Sequence, residues 1–284
     1  MIYLNGKFMP IEEAVIPVLD RGFIFGDGVY EVIPVYSRRP FRIDGHLQRL
    51  QASLDSIRLE NPHTETEWRQ LIGGIVERNK PDDQSLYLQI TRGVARRDHA
   101  FPANAVPTVF MMSNPLLPPT PDQIAQGVGA ITAPDNRWSR CDIKSTALLP
   151  NVLLRQLAVD AGCAEALLLR DGFLTEGSAS NAFVIRDGII HAPPKSTRML
   201  LGITYDLVLE LAAGNDVAYE VRDITESELV SANEIWVSSS SREILPVTTL
   251  DGNRVGDGTP GPVFKRMHAL YQGYKAQVMR AAAP

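Results

Sequence analysis

Cysteine and lysine are scarce in this chain, and long apolar runs are missing altogether. Only Cys141 and Cys163 occur in 284 residues, and their spacing suits neither a disulfide framework nor a zinc site. Two free thiols in a reducing compartment are expected, with no metal. No stretch approaches the ~20 apolar residues that span a bilayer, and the opening MIYLNGKFMP lacks a signal-peptide core. A cytoplasmic protein without a membrane partner is expected. Positive charge is in deficit too: the formal net charge is -5, which removes the electrostatic footprint of a nucleic-acid binder.

What remains is a globular composition, 44% hydrophobic and 21% charged. The length exceeds the roughly 100–150 residues of one typical domain. Asn5-Gly6 between apolar residues predicts an opening β-hairpin. GVYEVIPVYSRRPFRI continues as a second ribbon. A helix over 45–57 follows, with Leu47, Leu50, Leu54 and Ile57 on one face, then a helix started by a Thr64/Glu67 capping box. SLYLQITRGV and TVFMMSN read as strands. NPLLPPTPDQ carries four prolines in ten residues and predicts a stiff extended linker. The expected organisation is therefore a small α+β domain over 1–113, a linker over 114–123 and a larger α+β domain over 124–284. In the latter, helices are expected from Pro150 to about Ala161, after Thr204 and after Pro262, with turns at Asp171-Gly172 and Asp187-Gly188 and a capping box at Thr225/Glu228. GDGTPG at 256–261 fits a dinucleotide fingerprint literally, but too few residues follow for a βαβ unit, so it reads as a turn.

Three stretches could carry chemistry. Among six lysines, Lys144 alone stands beside a long apolar helix, flanked by Ile143, Ala147, Leu148 and Leu149. Desolvation of that kind turns an ammonium into a nucleophile at neutral pH. Locally, the same pattern also fits a lysine extending its charge to water from a strand end. Glu176 precedes Gly177 in LTEGSASNAF, a place where backbone can be closely approached; an exposed strand acid is the alternative. Gly202 and Thr204 open a helix whose free N–H groups suit a phosphate or an ordinary N-cap. Together a lysine, a carboxylate and a helix N-terminus match pyridoxal 5'-phosphate.

The segments RWSRCDIKSTALLPNVL, LTEGSASNAF, LLGIT, RGFIFGDGVYEV and WVSSSSREILPV resemble, in order from about residue 2 to 275, the signatures of class IV aminotransferases. That resemblance implies the two-domain α+β fold of the fold type IV pyridoxal-phosphate enzymes, and a homodimer with its active site shared across the interface. It implies Lys144 as Schiff-base lysine and proton carrier, and Glu176 on the pyridine nitrogen. Ile203, Thr204, Ser240 and Arg49 are implied for the phosphate, and Leu200 against the ring. On helical periodicity alone Arg49 would be a solvated surface residue. TRGVARRDHAFP resembles the D-amino-acid transaminase pattern, in which an arginine and a histidine two apart reach a neighbouring site and hold the substrate carboxylate with a tyrosine. The matching residues are Arg97, His99 and Tyr30, with Arg96 a competing arginine. The implied activity is transfer of an amino group from a D-amino acid to a 2-oxo acid. A branched-chain L-amino-acid transaminase, an (R)-amine transaminase and an aminodeoxychorismate lyase are the alternatives on this scaffold.

Overall fold

The computed structural model describes residues 1–104 and 106–280, and the chain divides into two compact units. The first comprises Met1–Leu116 with Ile143–Leu148, the second Leu117–Asp142 with Leu149–Pro284. No helix among the described residues is long and apolar enough to cross a membrane.

The first unit is built on a six-stranded sheet. Its strands run in the spatial order Lys7–Met9, Ile2–Leu4, Thr108–Pro115, Gln84–Thr91, Gly28–Tyr36, Arg39–Pro40, all antiparallel. Asn5 and Gly6 take φ of 45° and 91°, the left-handed pair that a two-residue hairpin requires. Alternation along Gly28–Tyr36 puts Val29, Ile33 and Val35 into a core with Leu86, Leu88 and Ile90. The helices Ile43–Ser56 and Glu65–Arg78 add Leu47, Leu50, Leu54, Trp68, Ile72, Ile75 and Val76 to it. Thr64 and Glu67 form the expected capping box.

The second unit carries a mixed sheet of nine strands among the described residues. Glu165–Arg170, Phe173–Gly177, Asn181–Arg186 and Ile189–Ala192 are joined in pairs by turns in which Asp171, Gly172, Asp187 and Gly188 all have positive φ. The helices Leu149–Asp160, Ile203–Ala213 and Pro262–Tyr274 lie where the sequence predicts them, and Thr225 and Glu228 form their capping box.

Two expectations need correction. The two units part within the proline-rich stretch, at Leu116 and Leu117, but it is not extended throughout: a strand ends in it at Pro115, and a capped helix, Pro121–Gln126, begins in it. Proline is tolerated at both places, because a strand's last residue and a helix's first turn need no N–H donor. Lys144, expected in the larger C-terminal domain, sits in the first unit. Ile143 joins that unit's core, Tyr30 N–H donates to Lys144 C=O at 2.9 Å, and Ser145 bridges Val29. These long-range backbone contacts have no local signal.

Candidate active site

Lys144 is half-buried, and its Nζ lies 4.3 Å from the centroid of the Tyr30 ring. Its backbone is held on both sides, by Tyr30 N–H on its carbonyl and by Ser53 Oγ, which accepts from Lys144 N–H at 3.3 Å. Tyr30 stacks on Tyr87 at 5.6 Å. The side chain is therefore aimed from a fixed segment along an aromatic face.

On the opposite face of the same strand is a residue that the sequence reading missed. Glu31 alternates in phase with Val29 and Ile33 and is buried with them. Its carboxylate accepts Arg49 Nε at 2.8 Å and Arg49 Nη2 at 2.7 Å, and lies 2.7 Å from His46 Nδ1. Period-two alternation could have found this inward acid. Arg49 is thus not the solvated residue that helical periodicity suggests, for a buried anion draws its guanidinium inward. Burial drives the His46 imidazole below its ordinary pKa, so it stays neutral and donates through Nδ1. Its Nε2 has no hydrogen-bond partner among the described residues.

Burial opposes ionisation of Glu31, but the Arg49 guanidinium and the His46 bond hold it at about 2, below an ordinary 4.5. A carboxyl with a depressed folded pKa contributes stability that is complete above the unfolded value and is lost as pH falls towards the folded one. The gap corresponds to about 3 kcal/mol. Glu31→Gln is therefore expected to lower stability at neutral pH by roughly that amount, with the deficit shrinking between pH 4.5 and about 2. Urea melts across this range check it; parallel curves for the two proteins would refute the linkage.

Arg97 and His99 lie on an exposed loop and share one aromatic ring. Arg97 is 5.3 Å and His99 also 5.3 Å from the Phe25 centroid. Tyr30 meets Lys144 and Tyr87. The loop is anchored from beneath: buried Arg21 donates to Asp98 C=O at 2.6 Å, and buried Arg92 covers Phe101 at 3.8 Å. Both arginines bind Asp27, whose carboxyl burial would raise but which they hold below its usual range. Arg96 is exposed.

In the second unit, Glu176 is buried rather than an exposed strand acid. Gly177 beside it is closely approached, as a Cβ there would fall 2.4 Å from Ser180 Oγ. Leu200 N–H donates to both Glu176 oxygens at 3.1 Å, Asn181 Nδ2 donates to Oε2 at 3.2 Å, and Arg137 Nη1 donates to Oε1. Burial pushes the carboxyl up to about 7, against the pull of Arg137. Asn181 and Arg137 were not foreseen; neither stands at a spacing that points to Glu176.

The Ile203–Ala213 helix opens at Gly202 without any side-chain cap. A Cβ at Gly202 would meet Asn181 Oδ1 at 2.0 Å, so this entrance is kept bare. Thr204 Oγ is buried with no hydrogen-bond partner among the described residues. An uncapped N-terminus and an unpaired buried hydroxyl together fit an anionic group such as phosphate. Ser240 occupies a turn ahead of Arg242, which reaches buried Glu165 at 2.7 Å; Glu165 also accepts from Ser178 and Ser180.

The chain is similar to known proteins over nearly its whole length. The family described as "Amino-transferase class IV" matches residues 28–250. A D-alanine aminotransferase of Bacillus licheniformis is 41% identical over 271 residues, covering 95% of each chain. One of Staphylococcus aureus (strain COL) is 37% identical, covering 96% of this chain and 97% of its own. Among solved structures, the branched-chain amino acid aminotransferase of Escherichia coli superposes with a TM-score of 0.87 at 26% identity, covering 96% of this chain and 92% of its own. A second branched-chain amino acid aminotransferase, solved with pyridoxamine 5'-phosphate, gives 0.89 at 30% identity, covering 95% and 92%. The fold is the fold type IV aminotransferase fold, and the chain belongs to the class IV aminotransferases.

Proposed function

We propose that this enzyme is a D-amino-acid transaminase, which moves the amino group of a D-amino acid such as D-alanine to a 2-oxo acid such as 2-oxoglutarate in a ping-pong cycle with pyridoxal 5'-phosphate. The observation that carries the substrate class is the near-full-length similarity to D-alanine aminotransferases at 36–41% identity. The branched-chain enzymes, the runner-up reading, share the scaffold at 25–30%.

Bound cofactor supplies a carbonyl carbon that condenses with amines and a ring that accepts electrons as the substrate Cα–H bond breaks. Lys144 Nζ is the amine that holds it and, once displaced by substrate, carries the proton away from Cα. Glu176 holds a proton on the ring nitrogen, which suits its burial and its three protein donors. Ile203 and Thr204 N–H, Thr204 Oγ, Ser240 and Arg49 take the phosphate, and Leu200 packs on the ring. Tyr30, Arg97 and His99 take the substrate carboxylate by directed donors and a planar guanidinium fork.

Arg97 and His99, exposed on their own chain, serve the site of a second copy. A homodimer is further supported by Leu149, Val152, Leu153 and Leu157, an exposed apolar face on one helix. The two unpaired cysteines suit a cytoplasmic setting. Single-turnover reactions of the cofactor-loaded enzyme with paired D- and L-amino acids, followed by cofactor absorbance, test the function. D-alanine should react and L-leucine should not; the reverse selectivity would move the enzyme to the branched-chain group.

A further inference from the structure

Arg137 lies in the loop after the Val128–Pro134 strand and belongs to none of the segments that hold phosphate or substrate. Its guanidinium is almost fully buried and locked as a fork on Asp135, with Nε to Oδ1 and Nη2 to Oδ2 both at 2.9 Å. Asp135 is itself held by Arg170 at 3.0 Å and by Thr175 Oγ at 2.9 Å, and Arg137 Nη2 also reaches Arg198 C=O. A guanidinium pinned at those nitrogens cannot swing, so its remaining Nη1 is delivered to Glu176 Oε1. Among the described residues, Glu176 Oε2 receives only Leu200 N–H and Asn181 Nδ2, at 3.1 and 3.2 Å. A carboxylate oxygen in that state retains capacity for a further donor.

Resting on the proposed role of Glu176, we propose that Asp135 and Arg137 form a fixed positioning pair that favours the ionised form of Glu176 and reserves its Oε2 for the cofactor's ring N–H. Two guanidiniums and two carboxylates balance in this cluster. A buried carboxylate deprived of its cation takes up a proton instead. Since burial already raises Glu176 to about 7 with Arg137 in place, loss of that cation moves it further up. A neutral acid no longer stabilises a protonated ring.

The test is a double-mutant cycle of Arg137→Gln and Glu176→Gln, read as the dissociation constant of pyridoxal 5'-phosphate from stripped enzyme across the neutral to alkaline range. Loss of a charge-assisted bond corresponds to about ten- to hundredfold weaker binding for Arg137→Gln alone. Its pH midpoint for binding should also move upward, which a merely structural role would not do. In the Glu176→Gln background, Arg137→Gln should have no further effect. Equal losses in both backgrounds overturn the proposal. If Glu176→Gln itself leaves affinity and the bound cofactor's absorbance unchanged, the role of Glu176 fails instead, which separates the two readings. Circular dichroism of the stripped proteins checks folding. Should Arg137→Gln not fold, Asp135→Asn, which keeps the cation but loosens its clamp, replaces it in the cycle: coupling to Glu176→Gln sustains the proposal, and additivity overturns it.

Discussion

Lys144→Ala is expected to abolish transamination while leaving the protein folded. General-base catalysis alone accounts for about 10²–10⁴ in rate, and the same side chain is assigned the covalent hold on the cofactor. Its structural contribution is small by comparison. The contact with the Tyr30 ring is a cation–π interaction of about 0.5–1 kcal/mol, and the backbone bonds to Tyr30 and Ser53 survive the substitution. Borohydride reduction of the wild-type enzyme followed by peptide mapping should place the label on Lys144. If the alanine variant keeps the visible cofactor band after reduction and another lysine carries the label, the assignment is wrong.

Arg97→Ala is the second large effect. Loss of a charge-assisted, bidentate contact to the substrate carboxylate costs about 1.5–3 kcal/mol, so kcat/KM for D-amino acids should fall at least about tenfold. Amines without a carboxylate should be spared. Stability should hardly change, because Arg97 is exposed and the loop is anchored through Arg21 and Arg92 rather than through its own guanidinium. Arg96→Ala is the control, expected to matter less. Mixing Lys144→Ala and Arg97→Ala subunits adds a test of the shared site: a hybrid pairs an intact Lys144 with the other copy's intact Arg97, and D-amino-acid activity should return. Recovery absent from mixed subunits, or equal damage to amines and amino acids, would reopen the substrate class.

Local patterns determined much of this protein. The hairpin at Asn5-Gly6, the turns at Asp171-Gly172 and Asp187-Gly188 and the boxes at Thr64/Glu67 and Thr225/Glu228 depend on a few adjacent side chains, so a short stretch suffices to specify them. The helix entrance at Gly202 and Thr204 and the close approach at Gly177 were legible for the same reason. The prolines marked where the two units part, at Leu116 and Leu117, but misled as to how much of the stretch is extended, since one ends a strand and another begins a helix.

Only the tertiary structure decided what neutralises the buried charges. Glu31 selects Arg49 and His46 from another element, and Glu176 selects Arg137 across 39 residues of sequence, Leu200 across 24 and Asn181 across five. It also decided that Lys144 belongs with the first unit, through backbone bonds to Tyr30 and Ser53. The reason is common to all of these. Periodicity reports which face of an element leaves water, whereas a buried charge is satisfied by whichever group the chain's path brings within about 3 Å, and that path is a property of the whole fold.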